Sequence, residues 1–139
     1  MVHVTYSHEF NYLRTARRHL FPGLTIRVQK AHGPDNTVEI EAHLDSGAEY
    51  SLFDGEIAGA IGLDLLSGGR RRYAATHGEA LEARIHQVTL VHPELGSSSL
   101  PVGFSTVKIR RHLLGRDFFN LIQIGFRERQ LSFYVTPTP

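Results

Sequence analysis

The chain has 139 residues, the usual size of one domain, with 41% hydrophobic and 21% charged side chains, which excludes a disordered or fibrous protein. Its formal net charge is +1, from 15 basic and 14 acidic side chains, so no overall field would attract nucleic acid or a membrane. The absence of cysteine excludes a disulfide framework and a thiolate nucleophile, and it favours a reducing compartment.

The N-terminal residues 1–20 are predicted to be an extension of uncertain structure. They mix polar, basic and apolar side chains and contain no apolar run of the kind found in a signal peptide. No later stretch approaches the roughly 20 apolar residues that are needed to span a bilayer. We therefore expect a cytoplasmic protein with no membrane partner.

The first clear periodicity lies in residues 24–29, where apolar and polar side chains alternate as in a half-buried β-strand. Residues 37–45 alternate in the same way. The Gly-Pro-Asp-Asn sequence at 33–36 predicts a turn between them, so the two segments should form a hairpin. A short helix should follow, with Asp54 as its N-cap and Gly62 after its last turn.

A second hairpin is predicted from strands at 70–75 and 81–91, joined around residues 76–79. The apolar phase changes between Ile85 and Val88, which predicts a β-bulge. The remaining predicted elements are a turn at 95–99, a strand at 100–104, a brief helix at 117–122 and a strand at 131–135. The pattern indicates a mostly β domain over residues 21–136, with one or two short helices and a tail at 137–139.

A carboxylate stands at the end of the second predicted strand, in the sequence Asp45-Ser46-Gly47. Such a turn would aim Asp45 out of the sheet, with Ser46 anchoring it by hydrogen bonding and Gly47 allowing close backbone approach. A chain of this length contains an Asp-Ser-Gly or Asp-Thr-Gly triplet by chance about one time in twenty. By itself the triplet is equally compatible with a solvated turn.

Two motifs, in order, resemble those of the retropepsin-like aspartic peptidases. Residues 42–49, Ala-His-Leu-Asp-Ser-Gly-Ala-Glu, resemble the active-site strand and turn, and residues 113–117, Leu-Leu-Gly-Arg-Asp, resemble the later apolar-apolar-Gly-Arg element. Between them lie a helix ending near Gly62-Leu63 and a hairpin at 70–91, as the resemblance requires. It implies the acid-protease fold, a closed β barrel with one flap hairpin per subunit.

The resemblance implies an aspartic endopeptidase in which two nearby aspartates share one proton and activate water. The chain contains one Asp-Ser-Gly sequence, so a second copy must supply the other Asp45. We therefore expect a homodimer that acts on a peptide or protein substrate and uses no cofactor. The alternative is a non-catalytic dimerisation or peptide-binding module with the same fold, which the unusual flap sequence favours.

The resemblance also assigns roles to residues beside the catalytic aspartate. Ser46, Gly47 and Ala48 complete the active-site turn, where Ser46 would hydrogen-bond across the dimer axis and the Gly47 carbonyl would meet the substrate. Glu49 and Arg116 would form a charge-assisted pair that braces the loop.

The flap tip is the main departure from the retroviral pattern, which is rich in glycine with an aliphatic tip. Here Ala75, Thr76, His77 and Gly78 form a polar tip with one glycine. His77 could bind substrate or make closure depend on pH, or it could be a solvated loop histidine. His43, on the strand face of the catalytic aspartate, could line a specificity pocket or have a structural role at the interface.

Metal and nucleic-acid functions are not supported by the remaining patterns. The nine histidines show no compact ligand spacing, so no metal site is expected. The arginines at 14, 17 and 18 and at 70–72 are interpreted as solvated faces, since few aromatic side chains lie nearby to stack bases.

Overall fold

The computed structural model of the chain describes residues 1–32, 36–74 and 78–138. Within these ranges the chain forms twelve strands, two short helices and two 3-10 turns, at Leu65–Ser67 and Glu128–Gln130. The strands are β1 (His8–Asn11), β2 (Leu13–Arg14), β3 (Leu20–Phe21), β4 (Gly23–Lys30), β5 (Thr37–Leu44), β6 (Leu52–Asp54), β7 (Gly69–Tyr73), β8 (Leu81–His92), β9 (Gly96–Ser105), β10 (His112–Leu114), β11 (Ile122–Arg127) and β12 (Ser132–Pro137). The helices are α1 (Gly55–Ala60) and α2 (Arg116–Phe119).

Six strands close into a barrel in the order β4, β5, β10, β6, β9, β8, and β8 pairs back onto β4. The β5–β10 and β6–β9 pairs are parallel, and the other pairs of the barrel are antiparallel. β7 pairs with β8 outside this closed ring. The predicted mostly β closed barrel with one or two short helices is therefore confirmed.

The barrel core is formed by the apolar side chains that alternate along its strands. Residues 24, 26 and 28 of β4 and residues 40, 42 and 44 of β5 are all buried, as their alternation predicts. Phe53 of β6 and Phe104 of β9 are fully buried and meet edge to face, with ring centroids 5.9 Å apart. Edge-to-face contact is a geometry that aromatic rings prefer, so the pair stabilises the core beyond the area that it buries.

Part of the N-terminal extension belongs to a second sheet, of order β1, β12, β11. Phe10 of β1 lies opposite Phe133 of β12, with ring centroids 5.5 Å apart. The Tyr12 hydroxyl donates a 2.8 Å hydrogen bond to Glu128, and burial together with this bond raises the pKa of Tyr12 to about 12. The first strand is thus attached to the C-terminal strand of the same chain.

The predicted β-bulge between Ile85 and Val88 is wrong. From Ala83 to His92, β8 pairs with β9 in one unbroken register. The apolar phase changes because the two halves of β8 bury different faces: Ala83 is buried near the β7 side, whereas Val88 and Leu90 face the barrel core.

The predicted turn at 95–99 is displaced in the structure. Ser97, Ser98 and Ser99 lie in β9, paired with residues 89–91 of β8, and the reversal occurs at residues 93–95. Gly96 follows it with φ of 85°, a backbone conformation that glycine adopts without strain. The serines join the sheet because cross-strand pairing outweighs their weak strand propensity.

The helices agree with their predicted positions more closely than with their predicted lengths. Asp54 is the N-cap of α1, and its carboxylate accepts a hydrogen bond from the amide of Glu56. α2 ends at Phe119, and Ile122 already belongs to β11. In the part of the chain that the structure describes, no helix combines the length and apolar character required to cross a bilayer.

Candidate active site

Asp45 follows the last residue of β5 and begins the loop that leads to β6. Its amide donates a 2.9 Å hydrogen bond to the carbonyl of Leu114, at the end of the neighbouring strand β10. Its carboxylate Oδ1 accepts a 2.8 Å hydrogen bond from the amide of Gly47, which closes an Asx turn. The half-buried carboxylate is therefore held in one orientation at the end of the barrel strands.

The turn is anchored by the aspartate itself and not, as predicted, by Ser46. Ser46 is exposed, and its hydroxyl makes no hydrogen bond to any described residue. Ala48 closes the turn through its amide, which donates to the Asp45 carbonyl at 3.2 Å. The Ser46 hydroxyl is consequently free to contact other molecules.

The second motif packs directly against this loop through its backbone. The amide of Arg116 donates to the Ala48 carbonyl at 2.8 Å, and the amide of Asp117 donates to the Glu49 carbonyl at 3.2 Å. Gly115 makes the approach possible, because a Cβ at this position would lie 2.7 Å from the Ala48 carbonyl oxygen. The two sequence motifs therefore meet in space.

The predicted ion pair between Glu49 and Arg116 is not formed within the chain. Both side chains are exposed, and neither takes part in the ion pairs found among the described residues. The bracing that the pair was expected to provide comes from the backbone hydrogen bonds of the same two segments.

A polar pair that the sequence analysis missed lies behind the loop. Ser51 is fully buried, and both its amide and its hydroxyl donate to the carboxylate of Asp117, the hydroxyl at 2.7 Å. The Ser51 hydroxyl oxygen in turn accepts a 3.0 Å hydrogen bond from the amide of Gly115. The spacing of 66 residues between Ser51 and Asp117 carries no local signal, so sequence periodicity could not have paired them.

The turn-side half of β7 contacts the same loop. The Tyr73 hydroxyl donates a 2.8 Å hydrogen bond to the Ser51 carbonyl, and burial raises the pKa of this phenol. The guanidinium carbon of Arg71 lies 3.9 Å from the centre of the Tyr50 ring, a cation–π contact.

Of the four residues predicted to form the flap tip, the structure describes only the last. Ala75, Thr76 and His77 are outside the described residues. Gly78 is exposed, with φ of 90°. Their part in substrate binding stays a prediction.

His43, the penultimate residue of β5, lies two positions before Asp45 and is half-buried. Its ring stacks on Phe21 with centroids 3.7 Å apart and planes within 9°. Burial, followed by the positive charge of Arg111, lowers the pKa of His43. The side chain is thus a packed, neutral imidazole at neutral pH, next to the candidate site.

The described residues contain no group of three or more histidine, aspartate or glutamate side chains arranged to hold a metal ion. Asp45 itself offers a half-buried carboxylate, and the adjacent Ser46 offers an exposed hydroxyl.

The chain is similar to the crystal structure of a retropepsin-like aspartic protease from Rickettsia conorii, with a TM-score of 0.63. The alignment covers 98% of this chain and 100% of that chain, at 17% sequence identity. The chain has the retropepsin-like fold. No protein-family model matches the sequence, and no curated protein matches it significantly.

The retropepsin-like fold explains why residues far apart in sequence meet at Asp45. Leu113 of β10 lies beside His43 of β5 in a parallel pair and opposite Leu52 of β6. The strands before and after the Asp45 loop, β5 and β6, thus both pair with β10. The Gly-Arg-Asp sequence follows β10 immediately and so lies next to the loop.

Proposed function

We propose that the chain is one subunit of a homodimeric aspartic endopeptidase, in which Asp45 of each copy supplies one catalytic carboxylate. The observation that carries the proposal is the position of Asp45. It stands on a fixed turn at the end of a barrel strand in a retropepsin-like fold, with Oδ1 held by the Gly47 amide at 2.8 Å. This is the sequence element whose resemblance first indicated a peptidase.

The need for two copies follows from the chemistry and the sequence. An aspartic peptidase requires two carboxylates close enough to share a proton, because like charges in contact cannot both ionise easily. The chain has one Asp-Ser-Gly sequence. The exposed Ser46 and Gly47 leave the loop accessible to a second copy, and a two-fold axis beside it would bring the two aspartates together.

In the proposed reaction the ionised Asp45 removes a proton from a bound water, while the protonated Asp45 of the other copy donates a hydrogen bond to the scissile carbonyl oxygen. The water oxygen attacks the carbonyl carbon while the protonated Asp45 transfers its proton to the carbonyl oxygen, and a tetrahedral diol forms. The Asp45 that took the proton from water then passes it to the amide nitrogen, while the other carboxylate accepts a proton from a diol hydroxyl. The C–N bond breaks, and the pair again holds one proton. No covalent bond to the protein is formed.

The substrate would be an extended peptide bound by strand-like hydrogen bonds between the Asp45 loops and the β7–β8 hairpins. Exposed backbone at Gly47 provides acceptors on the loop side. A peptidase of this kind needs no cofactor, and a cytoplasmic location, which the lack of cysteine favours, stays a prediction.

The direct test is Asp45→Asn, assayed on a mixture of unstructured peptides from acidic to neutral pH. We expect kcat/KM to fall at least about 100-fold, because the amide cannot act as a base. Asp64→Asn makes the same chemical change at an exposed position and should cleave as the parent does. Equal rates for Asp45→Asn and the parent would remove the proposal.

The dimer requirement has its own test. Mixing the parent with excess inactive Asp45→Asn chain should suppress activity, because mixed dimers contain one carboxylate. Specific activity should also fall on dilution below the dimer dissociation constant, which analytical ultracentrifugation measures independently. Full activity in monomeric fractions would contradict the shared site.

The second candidate is a non-catalytic dimerisation or peptide-binding module. The polar residues predicted for the flap tip favour it, since they differ from the aliphatic tip of the retroviral pattern. A folded dimer that binds peptides without cleaving them at any pH from acidic to neutral would support this alternative.

A further inference from the structure

Two side chains on one face of β7 reach the loop that follows Asp45. Arg71 lies over the Tyr50 ring at 3.9 Å, and Tyr73, two residues further along, donates its hydroxyl to the Ser51 carbonyl at 2.8 Å. Alternate residues of a strand share a face, so both contacts come from one side of the hairpin. The hairpin is thereby attached to the loop at two successive residues.

The Tyr73 contact leads to the candidate catalytic group through a continuous set of hydrogen bonds. Ser51 is bound at its amide and hydroxyl by the Asp117 carboxylate, and its hydroxyl oxygen receives the Gly115 amide. On one side of Gly115, the carbonyl of Leu114 accepts a hydrogen bond from the amide of Asp45. On the other side, the amide of Arg116 donates a hydrogen bond to the carbonyl of Ala48. Displacing Ser51 would therefore disturb both ends of the Asp45 turn.

We propose that Tyr73 is a positioning residue: its hydroxyl couples the turn-side end of β7 to Ser51 and so holds the Asp45 turn in its reactive orientation. The role in catalysis rests on the proposed peptidase function. The coupling between hairpin and loop is a property of the fold and can be measured without any activity.

The local packing allows the hydroxyl to be removed without other damage. The Tyr73 ring lies against Gly103, where an added Cβ would contact the ring, so a phenylalanine ring fits the same space. The Ser51 carbonyl also accepts a 3.1 Å hydrogen bond from the amide of Gly103, so the carbonyl would not be left without a partner. Tyr73→Phe is therefore expected to fold.

The experiment compares Tyr73→Phe with Tyr134→Phe, which loses a 2.9 Å hydrogen bond from Arg127 in the three-stranded sheet, away from the Asp45 loop. For Tyr73→Phe we expect kcat to fall about 2- to 12-fold, the equivalent of one net hydrogen bond, with KM changed much less. Hydrogen exchange at the amides of Ser51 and Gly115 should accelerate by a similar factor. The control variant, Tyr134→Phe, should change neither kcat nor the exchange rates of these two amides.

The outcomes separate this inference from the proposed function. If the parent cleaves peptides and Tyr73→Phe keeps the parent kcat, the positioning role is overturned. If no peptide is cleaved by the parent, the proposed function fails, and hydrogen exchange decides the coupling by itself. Unchanged exchange at Ser51 and Gly115 in Tyr73→Phe overturns the inference in either case.

Discussion

The buried hydroxyl of Ser51 donates a 2.7 Å hydrogen bond to the carboxylate of Asp117, which joins the loop after Asp45 to the first turn of α2. The carboxylate also accepts hydrogen bonds from the backbone amides of Ser51 and Phe118. A carboxylate with several such donors is well satisfied without a cation. This network fixes the back of the candidate site.

Ser51→Ala should destabilise the chain by about 2 kcal/mol, because it removes a hydrogen bond to a charged group and leaves the Gly115 amide without its acceptor. Chemical denaturation followed by circular dichroism measures the change. Ser99→Ala removes an exposed serine whose hydroxyl accepts from Gln87, and it should cost less than about 0.5 kcal/mol. Equal costs for the two variants would contradict the buried network.

Gly115→Ala should reduce both stability and activity, since the new methyl group would lie 2.7 Å from the Ala48 carbonyl oxygen and 2.9 Å from the Tyr50 carbonyl carbon. Backbone atoms cannot move away without disturbing neighbouring structure, so we expect the free energy of unfolding to fall by about 2–4 kcal/mol, as measured by thermal unfolding.

The matched control for this change is Gly59→Ala in α1, where an added Cβ meets nothing within 4 Å. It should stabilise the chain by about 0.5–1 kcal/mol through helix propensity. A Gly115→Ala variant as stable as Gly59→Ala would show that the two motifs are not in close contact.

His112 predicts a pH dependence of stability. Its Nδ1 accepts the amide of Asp54 at 3.1 Å, and burial, against the opposing effect of Asp54, lowers its pKa below the ordinary 6.5. The unfolded chain then binds a proton that the folded chain does not, so the free energy of unfolding should fall as pH drops below about 6.5. Above that pH both states are neutral and this contribution is constant.

The measurement is urea denaturation of the parent and of His112→Asn at several pH values on both sides of 6.5. Asparagine retains a side-chain acceptor but does not titrate, so the variant should lose part of the slope. Because burial also lowers the pKa values of His43 and His92, some slope should remain. A variant with the parent's full slope would exclude His112 as a contributor.

The N-terminal strand provides a test of the boundary of the folded domain. Deleting residues 1–11 removes β1 and should expose the edge of β12 and the ring of Phe133, which lowers the melting temperature and promotes aggregation. Deleting residues 1–4, which precede the strand, should leave the melting temperature nearly unchanged. Light scattering and calorimetry distinguish the two truncations.

Local sequence patterns predicted much of the barrel. The alternation around Ile26 and Ile40 identified the β4–β5 hairpin, and Asp54 identified the start of α1, because both signals act over a few residues. β1 was missed because its side chains alternate weakly. β11 was missed, although Ile122, Ile124 and Phe126 recur at every second position, because it follows a segment that reads as helix. Their strand conformation comes from pairing with β12, which no local window contains.

For Asp45, the candidate catalytic residue, some features likewise follow from the local sequence and others only from the tertiary structure. Its identity and its place at the end of a strand follow from the sequence, since they depend on residue type and period. The tertiary structure decided what holds it: the Gly47 amide in place of Ser46, and the backbone of Arg116 in place of its side chain. Those choices depend on which distant groups the closed barrel brings within hydrogen-bonding distance, and that geometry exists only after the strands have paired.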